Sequence, residues 1–343
     1  MELSALRLLG VVVGVLLLLG LAWRRRAGAF LGRTEMLLWP GALLLVTVAA
    51  RPDVADVLVR FTGLTGNLSR IVSVLAVAVL GLGVVVVRLA GEGAETRHRL
   101  LTLLREVPAR AVPLEPGVEI LCIMPALNEA ENLPVVLKLM PKEVEGHAVR
   151  CLVVDDGSTD GTPEVAEAHG ALVARSLMNV GGGHALQIGF AAAARLGARW
   201  VVTLDADGQH QPGELGLLMA PLLAGEAEVV VGSRHLGQSV GHERTRALGL
   251  RLFNALLSFL LGRRITDCSS GYRAFDLARL RTLRLVQDRH HTAELLIEAS
   301  RKQLRIREVG IVISPRLSGE SKKGTNWRYG VRFARTVAQA WWG

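Results

Sequence analysis

The chain has 343 residues, half of them hydrophobic, with a formal net charge of +9 and a mean hydropathy of +0.35. That length holds one large domain or two ordinary ones, and the hydropathy is too apolar for a purely cytosolic enzyme and too polar for a pure membrane bundle. No helix-turn-helix, zinc-finger or RNP pattern accompanies the positive charge, so it is assigned to an anionic membrane surface rather than to nucleic acid.

The apolar excess sits at one end, in Leu6 to Trp23, Met36 to Ala50 and Ile71 to Ala90. The first and third stretches approach the roughly 20 residues a helix needs to cross a bilayer. The second is shorter, with Pro40 near its start, and reads as a span extended past Ala50 or as a re-entrant segment. Residues 1–90 are therefore expected to be a transmembrane domain of three helices. The first is an uncleaved anchor, because its charge follows the apolar run and no small-residue cleavage pattern precedes Trp23-Arg24-Arg25-Arg26. Arg24, Arg25, Arg26 and Arg33 lie between the first two stretches. By the positive-inside rule they face the cytoplasm, and so does everything after Ala90. The expected location is a prokaryotic plasma membrane. In residues 91–116, Leu100, Leu101, Leu103 and Leu104 lie among arginines and predict an amphipathic helix, either on the membrane surface or as a solvated linker. Pro108, Pro113, Pro116 and Gly117 are expected to end it.

From Val118 the pattern alternates. Short runs rich in Val, Ile and Leu at 118–124, 149–154, 171–174, 199–204 and 227–232 predict strands, with helices between them at 131–140, 162–169, 184–196 and 212–223. Near-continuous apolar strands alternating with helices predict an α/β fold with a mostly parallel, Rossmann-like sheet covered on both faces. Cys122 and Cys151 sit within these strands as core filler, and with Cys268 they form no CxxC pair, as fits reduced cytosolic thiols.

In such sheets ligands bind at the carboxyl ends of the strands, and three strands here end in polar clusters: Pro125-Ala126-Leu127-Asn128-Glu129, Asp155 to Thr162 (DDGSTDGT), and Asp205-Ala206-Asp207-Gly208-Gln209. Thr162 is placed to cap the next helix. Two aspartates bracketing one alanine repel unless a cation lies near them, so Asp205 and Asp207 predict a hard divalent ion whose shell a substrate's phosphates complete, with Gln209 as a further oxygen ligand. If strand geometry persists the two carboxylates point to opposite faces and divide the work between ribose and metal. His210 reads as a loop-shaping residue, and adjacent His290 and His291 do not present a metal pair. Asp267, Ser269, Ser270 and Gly271 are placed around an acceptor cavity, and Glu294 is either a general base or a surface residue of an amphipathic helix.

The series PALNEAEN, VVDDGSTDGT, DADGQHQP, VGSR, DCSSGYRAF and RLSGESK resembles the family-2 glycosyltransferases of GT-A fold, and most closely the polyprenyl-phosphate branch that includes dolichyl-phosphate mannose synthase. The resemblance covers Val118 to about Lys322 and places the catalytic domain at 117–322, with an interfacial helix rich in Trp and Arg at 323–343. It implies that Pro125, Leu127, Glu129, Val154, Asp156, Asp205 and Ala206 hold the nucleotide, and that Asp207 and Gln209 bind Mg2+ or Mn2+. It also implies that Arg234 touches the donor diphosphate, and that Arg246, Arg316, Ser321 and Lys322 receive an acceptor phosphate. Asp207, Arg234 and Arg246 would then carry the catalysis.

Two departures from the family pattern stand out. Leu127 replaces an aromatic residue, and Asn179-Val180-Gly181-Gly182-Gly183-His184 stands where Gly-Lys-Gly is common. Residues 1–90 resemble, more loosely, a small three-helix membrane domain found beside such transferases. The partners implied are a nucleotide sugar, polyprenyl phosphate, the membrane and a second copy of the chain. Two rivals stay open: a transferase acting on a sugar or lipid hydroxyl with Glu294 as base, and a catalytically silent adaptor.

Overall fold

The computed structural model describes residues 15, 100–239, 244–283, 285 and 291–319, without the side chains of 239, 244–248 and 291. Apart from Val15, the three apolar stretches, the arginines between them, His290, Ser321, Lys322 and the 323–343 tail lie outside the described residues. Among the described residues no helix is long and apolar enough to cross a membrane. The chain divides into two compact units, Met1–Leu100 and Leu101–Gly343, and the second carries every strand of the sheet.

Helix α1, residues 100–111, runs through Pro108 instead of ending there. A proline inside a helix forfeits one backbone hydrogen bond. Here Ala109 and Val112 are buried just beyond it in the core, and the Ala109 carbonyl accepts from the Arg195 guanidinium. Leu100, Leu103 and Val107 point outward along the opposite face.

Strand β1 (Ile120–Ala126) is followed by α2 (Leu133–Leu139), a hairpin of β2 (Glu143–Val144) and β3 (His147–Asp155), α3 (Thr162–Ala168), β4 (Leu172–Arg175), α4 (Gly182–Leu196) and β5 (Trp200–Thr203). A 3-10 turn at Pro212–Glu214 leads into α5 (Leu215–Leu223), then β6 (Val229–Ser239), α6 (Arg244–Leu261), β7 (Arg273–Asp276), α7 (Leu277–Leu280), α8 (His291–Arg301) and β8 (Ile306–Ile313). One eight-stranded sheet results, in the order β2-β3-β1-β5-β7-β6-β8 with β4 also on β3.

Alternation along the strands explains their near-continuous hydrophobicity. Leu121, Ile123, Leu152, Val154, Val201 and Phe275 face one core with α1, α4 and α8. Ile120, Cys122, Met124, Val153, Val202 and Ala274 face the other with α2, α3 and α5. Both faces are covered, so both sets of side chains are apolar.

The sheet is mostly parallel, as expected, but mixed, with antiparallel pairing at β2 and at β7. Strand β7 runs antiparallel to both β5 and β6, while β6 and β8 are parallel. Its four residues, Arg-Ala-Phe-Asp, carry no apolar run that periodicity could detect. As a result β3, β1, β5, β6 and β8 all end on one rim, and β7 begins there.

Candidate active site

The register fixes the rim. Ala126 pairs with Asp155 across β1 and β3, and Ile123 pairs with Thr203 across β1 and β5. The three polar clusters therefore leave the sheet side by side.

The first two are laced together. Backbone N–H groups of Asn128, Glu129 and Ala130 donate to Ser158 Oγ (2.8 Å), Thr162 Oγ1 (2.9 Å) and Asp160 Oδ2 (3.1 Å). The Thr159 N–H returns a bond to Asn128 Oδ1 at 2.9 Å. Thr162 thus does not cap the helix: Gly161 holds that position without a side-chain bond, and the Thr162 hydroxyl is spent on Glu129 and on Asp160 Oδ1 at 2.5 Å. Ser158, Asp160 and Thr162 of DDGSTDGT build the loop that carries Glu129.

Asp156 is buried, and its two oxygens accept the N–H groups of Val180 (2.8 Å) and Gly181 (2.9 Å). Burial raises its pKa, and those two bonds oppose the rise. The glycine run at 181–183 is accordingly the start of α4, seated on Asp156.

After Thr203 the backbone leaves strand geometry, so Asp205 and Asp207 are not divided between two sheet faces. Asp207 Oδ1 accepts the Gln209 N–H at 3.1 Å. Burial, reinforced by the Asp205 charge, pushes its carboxyl up to about 6. Gln209 spends its amide nitrogen on the Ser314 carbonyl at 3.4 Å, which leaves its oxygen for a hard cation. These groups fit the expected Mg2+ or Mn2+: two crowded carboxylates and an amide oxygen gain from a cation between them. Among the described residues no three His, Cys, Asp or Glu side chains converge, so a hard cation held here would need further oxygens to complete its shell. His210 is buried and accepts the Asp205 N–H at Nδ1 (3.3 Å), which agrees with the loop-shaping reading.

A strap from the end of β8 closes over these loops. The Ser314 N–H donates to the Gln209 carbonyl at 2.9 Å and the Leu317 N–H to the Asp207 carbonyl at 3.2 Å. Arg316, placed by the resemblance at the acceptor phosphate, donates to Glu129 Oε1 through Nη2, and its Nη1 lies 3.7 Å from Asp207 Oδ2. Asn132 Nδ2 binds the other Glu129 oxygen at 2.6 Å.

Arg234 leaves β6 on the far side of β7. Its Nε is 2.6 Å from Asp267 Oδ2 and its Nη2 3.2 Å from Ser269 Oγ. Gly271 abuts the acid pair, since a Cβ there would meet Asp205 Oδ1 at 2.7 Å. The loop between is held by Arg273, wholly buried, which donates to the carbonyls of Ser270 (2.9 Å), Cys268 (2.9 Å) and Thr292 (2.5 Å). Burial lowers its pKa to about 10. Arg273 lies within the motif DCSSGYRAF, where the resemblance assigns it no role; its signal is an arginine inside a run otherwise fit for a strand, YRAF. Glu294 is buried, which overturns its reading as a surface residue. Arg246 lies on α6 with its side chain outside the description, as are Ser321 and Lys322. Pro125, Leu127, Val154 and Ala206 lie at or just beyond the ends of β1, β3 and β5.

Fold and rim together define a GT-A-like α/β transferase domain, with two acidic strand ends and a metal-compatible aspartate pair. The family model for glycosyl transferase family 2 matches residues 121–283. An undecaprenyl-phosphate mannosyltransferase of Micrococcus luteus is 32% identical over 216 residues, covering 60% of this chain and 87% of that protein. A polyprenol monophosphomannose synthase of Mycolicibacterium smegmatis is 37% identical over 47% of this chain, a match that spans 63% of its own length. Among solved structures, glucosyl-3-phosphoglycerate synthase from Mycobacterium tuberculosis with Mn2+ and UDP-glucose superposes with a TM-score of 0.51 at 25% identity, over 70% of this chain and 81% of that one. The chain belongs to glycosyl transferase family 2 and is a hexosyltransferase-like glycosyltransferase.

Proposed function

We propose that the chain is a membrane-anchored, metal-dependent inverting transferase that moves a hexose from a nucleoside-diphosphate sugar to polyprenyl phosphate at the cytoplasmic face. The observation that carries the donor half is the crowding of Asp205 and Asp207 at the end of β5, where burial and mutual repulsion hold Asp207 near 6 until a cation arrives. The acceptor half is supported by the names of the two bacterial relatives.

Asp207 and Gln209 would hold the ion, which neutralises charge on the departing diphosphate when bound. Glu129 and Asp156 sit where base and ribose would meet acceptor groups at the ends of β1 and β3. Arg234 and Arg316 add positive charge at the rim, aimed where negative charge develops. The acceptor phosphate is ionised at neutral pH. One of its oxygens attacks the anomeric carbon as the bond to the diphosphate oxygen breaks, and no proton has to be removed. Cations rather than a base are what such an acceptor needs for positioning. Residues 1–90 would supply the anchor and 323–343 an interfacial helix.

Membranes carrying the full chain, incubated with labelled nucleotide sugars, Mn2+ and polyprenyl phosphate, test this directly. A lipid-linked sugar product is expected. Absence of that product with every common donor, while another acceptor is glycosylated, overturns the reading.

A further inference from the structure

We propose that Asp267 is a positioning residue: it locks Arg234 in one orientation, with the remaining guanidinium edge presented to a phosphate oxyanion, and it is not a general base. The proposal rests on the reading of the rim as a sugar-phosphate transfer site.

Asp267 is wholly buried. Its Oδ2 accepts both the backbone N–H and Nε of Arg234, at 3.2 and 2.6 Å. Its Oδ1 accepts the backbone N–H and the hydroxyl of Ser269, at 3.2 and 3.3 Å. A carboxylate offers about four lone-pair sites, and these four donors occupy them. No lone pair remains for a sugar hydroxyl, and taking up a proton there would break a buried ion pair, which leaves an uncompensated charge.

The loop that presents Asp267 is fixed independently of Arg234. The Thr266 and Asp267 N–H groups donate to the Glu308 carboxylate at 2.9 and 3.1 Å. The Cys268 N–H donates to Asn254 Oδ1 at 3.0 Å, and Arg273 grips the carbonyls of Cys268 and Ser270. Asp267 is thus the rigid member of the pair and Arg234 the long side chain that is held.

Held in this way, Arg234 spends Nε and Nη2 on the loop, while Nη1 makes no hydrogen bond among the described residues. The side chain keeps 13% of its surface exposed. Its position comes from the sheet: the Gly232 N–H bonds the Tyr272 carbonyl at 2.9 Å, and the neighbouring Gly271 lies against Asp205. A planar guanidinium with one edge fixed and the other open suits a phosphate oxygen pair. That oxyanion belongs either to the donor diphosphate or to the acceptor monoester.

The test is a double-mutant cycle on the full chain in detergent, with Mn2+, undecaprenyl phosphate and UDP-glucose or GDP-mannose, whichever gives lipid-linked product. Asp267→Asn and Arg234→Ala are each expected to raise the KM of the same substrate at least about tenfold. The double variant should fall no more than about threefold below the worse single one, and the pH profile should keep its shape. A raised donor KM assigns the diphosphate, and a raised acceptor KM assigns the monoester. Losses that multiply, or an Asp267→Asn enzyme with unchanged KM values and no acid limb in its pH profile, overturn the proposal in favour of a base. If Asp267→Asn does not fold, Ser269→Ala decides: a rise of about threefold in the KM that Arg234→Ala affects supports the inference, and no change overturns it. A wild-type chain that glycosylates a hydroxyl acceptor instead sinks the lipid-phosphate reading alone, and the same cycle is then read on that product.

Discussion

The two halves of the rim hold their charged groups by different means. On the β3-β1-β5 side, Asp156 is satisfied by the backbone N–H groups of Val180 and Gly181, and Asp207 accepts that of Gln209. Glu129 is the exception, held by the side chains of Arg316 and Asn132. On the β7-β6-β8 side, charged side chains hold the loop: half-buried Arg234 on Asp267, and buried Arg273 on three carbonyls. The first arrangement spreads small contributions over many neutral donors. The second concentrates them in a few charged side chains, so single substitutions should act unevenly across the cleft.

The largest effect is expected at Asp207. Asp207→Asn should lower kcat by about a thousandfold or more and abolish Mn2+ binding seen by calorimetry. The same substitution should stabilise the metal-free protein. The folded-state pKa is raised to about 6, so the folded chain binds a proton more tightly than the unfolded one. Stability is therefore lost as pH rises through the window from about 4 to about 6. Thermal unfolding should find Asp207→Asn more stable than wild type by on the order of 2 kcal/mol at pH 7.5, with the difference gone at pH 4. Equal melting of the two proteins at pH 7.5 would remove the electrostatic basis for the ion site.

Next comes Arg273→Met, which leaves three carbonyls without their donor and should cost about 3 kcal/mol in urea unfolding. A loss below about 0.5 kcal/mol would mean that the second half of the rim does not depend on buried charge. Mn2+ affinity, measured with saturating nucleoside diphosphate, should weaken by up to about tenfold per pH unit below 6, as protons compete for Asp207. Gly271→Ala should reduce kcat about tenfold through displacement of Asp205, with the melting temperature almost unchanged. Thr162→Val is the mildest, about 1 kcal/mol, because it removes one acceptor from a loop with several other bonds.

The β3-β1-β5 side was legible in the sequence because its parts are local. Strands β1, β3 and β5 are apolar on both faces, and each leads at once into its own polar loop, so position along the chain gave position on the rim. The other side was not. Strand β7 contains Arg273 and Asp276 in four residues, and its antiparallel course cannot be inferred from a helix-strand alternation. Arg316 meets Glu129 across 187 positions, so no spacing rule brings it to that carboxylate. Glu294 fits an amphipathic helix pattern, yet it is buried between Ala293 and Leu295 of the core; only tertiary packing decided its burial.

The reversed course of β7 carries one more consequence. A parallel strand offers the cleft the loop that leaves it, and any insertion there displaces a crossover helix on its way back through the layer. Strand β7 offers the residues that precede it, 266–271, a connection tied at one end to Glu308 of the edge strand β8 and at the other to Thr203 of β5. That segment therefore touches both halves of the rim at once, through Asp267 on Arg234 at one end and Gly271 against Asp205 at the other, so a replacement within it is felt at the acid pair as well.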